Sequence, residues 1–471
     1  MMELRPDTKS IHYERMIKEW IKISVIMAGD PAIKEAGQIY LPKLTGQTPA
    51  QYKAYKNRGV FFNAFDRTVV GFSGAIVKKN PIFEVSPRIK EMLPHITVNN
   101  ESIEEVTEII GKNLLSYGYY GILVDMPVVR EGDIQTDEPY FALYTCDAIL
   151  NPLVQREGSE NKLIRLTLAE TVERQNPKNK YEIFTQDVIR ELAIEDGILV
   201  VRLYEKKEIA KDKYEWVQIG DDMYPAVRGK KLNYIPFVFF GAVTNDPTPK
   251  KPPLETLANL NIKHWQVTVD YYHAIHYCCM PTPWAAGFPK SSELYVGGEK
   301  AWVSENPDAK CGYLELVGKS LEYVQNAMDR LENQMAVAGA KILEARKNAA
   351  ETAETVRLHF SGDSASLSSI VSSIEAGLIK AFEFMSLWIG EKPKCVVKLN
   401  REFVSDKLSS QDIIALLQAW QGGGISLNTF LMNMKNGEIL GQDQTIEDEK
   451  LRIEAEGSKP GKSNNIFGLE G

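Results

Sequence analysis

The chain has few of the features that usually announce a chemistry. It holds five cysteines in 471 residues: Cys146, Cys278, Cys279, Cys311 and Cys395. Their number is odd and no CxxC pair occurs, which excludes a disulfide framework and favours reduced, packed thiols. No run approaches the roughly 18 apolar residues of a membrane span, so no membrane partner is expected. The opening MMELRPDTKSIHYERM lacks the apolar centre of a secretory signal, which leads to the expectation of synthesis in a cytoplasm. No GxSxG, HExxH or paired-carboxylate pattern is present. Gly461-Lys462-Ser463 imitates the end of a phosphate loop, but the glycine needed at position 456 is Glu456 and no strand precedes it. No cofactor is therefore expected.

Two weak metal patterns remain. His273 and His276 are three apart on a helical segment, with Cys278 and Cys279 just beyond. Adjacent cysteines rarely aim at one ion, so a packed helix end is the better reading and no metal is assigned. Asp125 ends a strand-like run with Asp147 not far along the chain, and an Asp there is more often a turn former.

Charge is unevenly spread. The net charge is −8, yet residues 1–90 carry fifteen Lys and Arg against eight Asp and Glu, a local +7 that leaves −15 for the rest. An acidic body argues against tight nonspecific DNA binding, which requires many phosphate neutralisations, but is compatible with DNA passing by. The basic N-terminal region is either an ordinary solvated surface or a dock for an acidic partner.

Composition is that of a globular protein, 44% hydrophobic and 25% charged. Segment 11–27 has helical spacing. Thr48-Pro49 opens a helix that can run to Pro81. Ser102 and Glu105 form a capping box for a helix over 102–117, followed by strands at 119–126 and 138–145. Residues 160–241 read as successive strands: LIRLTLAE, YEIFTQ, DVIRELAI, GILVVRLYEK, YEWVQI and IPFVFFGA. A turn falls at Glu195-Asp196-Gly197. A proline-rich linker, 246–253, precedes the most informative stretch.

That stretch is helix, compact insert, helix. Segment 254–277 places Leu257, Trp265 and Tyr272 at helical steps. Prolines and glycines break up 278–319. Segment 320–343 carries Leu321, Val324, Met328, Leu331, Met335 and Ile342 on a heptad seam that requires a neighbouring helix. Ser361-Gly362-Asp363-Ser364 loosens the chain before a helix at 367–388, and a strand follows at 394–400. Ser409 or Ser410, Ser426 and Thr445 cap three further helices, with Gly422-Gly423-Gly424 between the first two. Residues 457–471 form a Gly-, Ser- and Lys-rich tail.

The order of these segments resembles the portal (head-tail connector) proteins of tailed bacteriophages over residues 40–456. The resemblance is carried by YLPKLTGQTPAQYKAYKNRGVFFNAFDRTVVGFSGAIVKKNP, IPFVFFGA with PPLETLANLNIKHW, AAETAETVRL, and LNREFVSD with LSSQDIIALLQAWQGGGIS. It implies an α+β subunit: a β-containing wing (1–241, returning at 357–400), a two-helix stem (254–277 and 320–343) and a small α/β clip (278–319). A tunnel loop (344–356), a helical crown (401–456) and the tail complete it.

It further implies a virion structural protein without enzymatic activity. Twelve copies would form the ring at the portal vertex, assembled in the host cytoplasm, through which double-stranded DNA is packaged and later ejected. Arg346, Lys347, Asn348 and Glu351 would face that DNA; the alternative for 344–356 is simple continuation of the helix, since alanine and glutamate favour it. The stem residues named above would pack subunits together. Trp284, Phe288, Tyr295 and Trp302 of the clip would dock the terminase large subunit and then a head-tail adaptor. Major capsid and scaffolding proteins complete the implied partners. A virion ring or minor head protein without a DNA channel, and a nucleic-acid-processing enzyme, are the rival readings.

Overall fold

The computed structural model describes residues 5–79, 81–127, 138–210, 213–279, 282–289, 294–295, 301–314, 319–340, 353–401, 410–436 and 445–455. The chain divides into two compact units, 1–401 and 402–471.

The first unit opens with helices. In α1 (Ile11–Met27), the Ser10 hydroxyl accepts the Tyr13 N–H, and Trp20, Ile23 and Ile26 are buried at three-residue steps. After α2 (Asp30–Ala36), Thr48 and Gln51 form a capping box at the head of α3 (Pro49–Arg58). The single helix expected from Thr48 to Pro81 is in fact two: α4 (Ala64–Val77) starts afresh at Asn63, whose side chain accepts the Asp66 N–H. The interruption falls at Gly59. Gly59 is extended (φ −70°, ψ 151°), and a methyl group there would overlap the Val269 side chain. Strand β1 (Ile82–Glu84) and α5 (Pro87–Met92) lead to α6 (Ile103–Tyr117), which has the Ser102/Glu105 capping box and ends on Gly118 in the left-handed region (φ 72°).

Strand β2 (Tyr119–Asp125) is the centre of a three-stranded antiparallel sheet, between β3 (Tyr140–Thr145) and β11 (Phe237–Gly241). The IPFVFFGA segment therefore leaves the meander of strands that precedes it in sequence. That meander is a five-stranded sheet of β4 (Leu153–Glu157), β5 (Glu160–Asn176), β6 (Asn179–Glu195), β7 (Ile198–Ala210) and β8 (Lys213–Met223), in sequence order. YEIFTQ and DVIRELAI, read as two strands, are one uninterrupted β6. The expected turn is present: Asp196 (φ 49°) and Gly197 (φ 75°) both take the left-handed conformation a two-residue hairpin needs. A short hairpin, β9 (Ala226–Val227) and β10 (Lys230–Lys231), returns the chain to β11.

Next come α7 (Glu255–Cys279), the ribbon β12 (Thr282–Ala286) and β13 (Lys310–Leu314), and α8 (Lys319–Met335). The long α9 (Ala353–Ile389) packs on β11 and β2; Gly377 lets it approach Phe240, and the Trp388 indole N–H donates to the Val124 carbonyl at 3.0 Å. Residues 361–364, expected to loosen the chain, lie inside α9. A glycine within a helix costs only about 1 kcal/mol, which the apolar stretch after it offsets. Strand β14 (Val396–Lys398) pairs with β1.

The second unit comprises, among the described residues, α10 (Ser410–Gln421), α11 (Leu427–Asn436) and α12 (Ile446–Ala455). Trp420 stacks on Phe430 with centroids 4.9 Å apart, Ser426 accepts the Thr429 N–H, and Thr445 accepts the Asp448 N–H. The α+β class is thus observed.

A polar cluster around Arg190 is one of the links between the three-stranded and the five-stranded sheet. Arg190 Nε donates to Glu170 Oε1 at 2.6 Å and its Nη2 to Oε2 at 3.3 Å, while Nη1 reaches Asp125 Oδ2 at 3.4 Å. The Tyr144 hydroxyl donates to the same Glu170 oxygen at 2.6 Å. Burial pushes the Asp125 carboxyl up and Arg190 pulls it down, so the cation is what keeps two adjacent acids tolerable there. Replacing Arg190 by Met should lower unfolding free energy by about 3–5 kcal/mol, since it leaves two carboxylates without a cation. A urea titration that finds no loss would show that the cluster carries no stability.

Candidate functional site

The part of the fold that faces outward with purpose is the helix–ribbon–helix unit. Helix α7 is two different helices in one. Over its first half, Leu257, Ala258, Asn261, His264, Trp265, Thr268 and Val269 are buried. Beyond that, Tyr272 is 41% and Tyr277 50% exposed.

The buried half is rooted at the break between α3 and α4. Asn261, wholly buried, uses both ends of its amide: Nδ2 donates to the Phe62 carbonyl at 2.8 Å and Oδ1 accepts the Phe65 N–H at 3.0 Å. The Phe65 N–H is a helix-start donor with no helical partner, and burial makes its satisfaction obligatory; the Phe62 carbonyl also accepts the Ala64 N–H at 3.0 Å. Tyr55 donates to Asp270 Oδ1 at 2.5 Å, Arg58 Nη1 lies 3.2 Å from His273 Nδ1, and Phe61 meets Trp265 edge-on with centroids 6.5 Å apart. Burial, with Arg58 and His276 beside it, lowers the His273 pKa, so the ring is held neutral.

Helix α8 packs along α7. His264 Nε2 lies 3.2 Å from Glu332 Oε1, Met335 is buried, and Leu321, Val324, Met328 and Leu331 are half-buried. The helix gives way at Ala336–Ala340 to a wider turn in which Gly339 lies so close to Thr68 and Leu257 that any side chain would have to displace them. The seam expected to join subunits thus faces its own partner helix. Two residues assigned to subunit packing are corrected outright: Leu257 and Trp265 have no exposed surface in the single chain and belong to its core. Tyr272 remains available. Ile342 lies outside the described residues.

In the insert, β12 and β13 form an antiparallel ribbon with Trp284 opposite Gly312, whose missing side chain leaves room for the indole. Trp284 (44%) and Tyr313 (57%) are exposed. The Trp302 N–H donates to the Tyr295 carbonyl at 2.6 Å, and Phe288 is half-buried. Between α7 and α8 the described residues are strand and loop, so the helical part expected of an α/β clip is not among them.

The other sequence candidates can be placed. Asp125 is engaged by Arg190, and Asp147 offers its carbonyl to the Tyr13 hydroxyl at 3.2 Å. The five cysteines are free, and the described residues contain no group of three His, Cys, Asp or Glu able to hold a metal. Among the described residues no helix is long and apolar enough to cross a membrane. Arg346, Lys347, Asn348 and Glu351 lie outside the described residues, as does Lys462; of 344–356, residues 353–356 open α9. Sequence reading missed Asn261 and Arg190. Asn261 had a signal, since it falls on the face defined by Leu257 and Trp265; Arg190, in an alternating strand, had none.

Residues 253–389, from just before α7 to the end of α9, match a family described as "Domain of unknown function (DUF4055)". No curated protein matches. Among solved structures, the chain is similar to one titled "Neck of empty GTA particle computed with C6 symmetry". Identity is 10% and the TM-score 0.41, covering 78% of this chain and 89% of that one. It is similar to another titled "Virion of native gene transfer agent (GTA) particle" at 8% identity and TM-score 0.40, covering 84% and 96%. A third, "Neck of native GTA particle computed with C12 symmetry", gives 9% and 0.38, covering 85% and 98%.

Asn261→Ala should cost about 1–3 kcal/mol in a urea titration followed by circular dichroism, the range for leaving buried backbone groups unpaired. An unchanged midpoint would mean that the amide does not hold the stem to the body.

Proposed function

We propose that the chain is a structural subunit of a phage-like particle, at the junction of head and neck, and that it forms the portal ring. The observation that carries this is the far end of the helix–ribbon–helix unit. Tyr272, Tyr277, Trp284, Tyr313 and Tyr323 are all at least two-fifths exposed there, although the near end is closely packed. An apolar surface of this kind on one end of a rooted stem fits burial against further copies. The segment order that resembles portal proteins points the same way. A 25-residue α7 would span about 38 Å, enough to wall a short channel.

In this reading twelve copies enclose a channel for double-stranded DNA. The ribbon and its loops, with Trp284, Phe288, Tyr295 and Trp302, dock the terminase large subunit and later an adaptor. The segment with Arg346, Lys347, Asn348 and Glu351 touches the passing DNA, and the wing meets capsid and scaffolding proteins. The energy for packaging comes from the terminase, and this chain performs no catalysis.

Light scattering of the purified chain at micromolar concentration and physiological salt should give a species about ten times the chain mass or more, as a closed ring of many copies requires. End-on electron micrographs should show a central hole. A monomer under those conditions contradicts the reading, and a ring without a hole favours a virion ring of another kind.

A further inference from the structure

Helix α7 is held between two helices of opposite electrical character. Its contacts with α3 run through Val269, Asp270 and His273, against Gly59, Tyr55 and Arg58. Its contacts around α8 run through Leu257 and His264, against Gly339 and Glu332. At 3.6 residues per turn, His273 lies about 180° from His264 and about 160° from Leu257. The two neighbours therefore occupy opposite faces of α7, and the three helices form a slab with two outer sides.

One side is basic. Helix α3 carries no carboxylate; Arg58 turns inward to His273, which leaves Lys53 and Lys56 for the outer side. With Tyr52 and Tyr55 buried, Lys53 lies about 160° from Tyr55 and points away from α7. The other side bears an acidic stripe. Glu322, Asn326, Asp329 and Asn333 follow one another at steps of four, three and four, and all are exposed. Neither Glu322 nor Asp329 has an ion-pair partner among the described residues, and the same holds for Lys53. Arg330 and Lys319 lie on the adjoining stripe of α8, so the acidic strip is narrow and its register matters.

We propose that these two sides are the mating faces of successive copies of this chain: the α3 face of one protomer receives the Glu322–Asp329 stripe of the next. The inference rests on the ring reading above and adds which surfaces meet. A ring needs two different, complementary surfaces per subunit, and a slab basic on one side and acidic on the other supplies them. Duplex DNA is the competing occupant of the α3 face. Two outward cations on one helix are few for it, and DNA would leave the acidic stripe unexplained.

The test uses two charge-reversed chains. One carries Lys53→Glu and Lys56→Glu; the other carries Glu322→Lys and Asp329→Lys. Each alone sets like charges against like, and should raise the protein concentration for half-assembly by about tenfold or more. Mixed in equal amounts they should recover rings, because an alternating ring restores every contact; circular dichroism of each alone should match the parent. Parent rings accompanied by variants that assemble equally well, or by a mixture that fails to recover, overturn the assignment of faces and leave the ring reading standing. A parent that stays monomeric overturns both. If the Lys53→Glu, Lys56→Glu chain forms parent-like rings but no longer binds random-sequence duplex DNA, the α3 face belongs to DNA and the proposal falls.

Discussion

The structure depends on a single constraint: the backbone at the break between α3 and α4 must be satisfied where it meets α7. The chain leaves the helix after Arg58 at Gly59, which is extended and sits against Val269 without room for a side chain. Breaking the helix leaves the buried Phe65 N–H without a helical partner and turns the Phe62 carbonyl, which also accepts the Ala64 N–H, toward α7. The amide of Asn261 satisfies both. Around that clamp, Tyr55 with Asp270 and Arg58 with His273 extend the contact toward the exposed end of α7. Unpaired buried backbone groups are expensive enough that this arrangement leaves little freedom in how the stem leaves the body.

A rooted helix with a free far end explains the split character of α7. Its first half has the composition of a core helix, and its second half keeps aromatics in contact with water. Such exposure is costly in a lone chain and becomes favourable when copies come together. The seam on α8 faces α7 of the same chain, and the aromatic far end stays exposed. Elsewhere in the first unit α9 packs on β11 and β2, and Arg190 links β2 to the five-stranded sheet.

Local chemistry was legible in the sequence. Capping residues at Thr48, Ser102, Ser426 and Thr445 sit where side-chain oxygens meet free N–H groups, and the Asp196-Gly197 turn follows from backbone sterics alone. What escaped was long-range. Gly59 and the Asn63 cap were local signals of the break between Thr48 and Pro81, whereas the approach of Val269, two hundred residues later, had none. Strand β6 was divided because Thr185, Gln186 and Asp187 are polar, yet they pair with β5 without interruption. The heptad seam said correctly that α8 needs a partner, but periodicity does not say whether that partner belongs to the same chain. Leu257 and Trp265 were assigned outward for that reason. Asn261 could have been flagged as a polar residue on an apolar face, although its two partners could not.

The central claim is that α7 is fixed at its root in the single chain and fixed at its far end only by neighbouring copies. Amide hydrogen exchange on the dilute, unassembled chain and on the assembled species tests it most directly. The account predicts that residues 255–269 are equally protected in both states, and that residues 270–279 with β12 and β13 become protected only on assembly. Equal protection of both halves in the two states, or a root that exchanges freely until assembly, would contradict it.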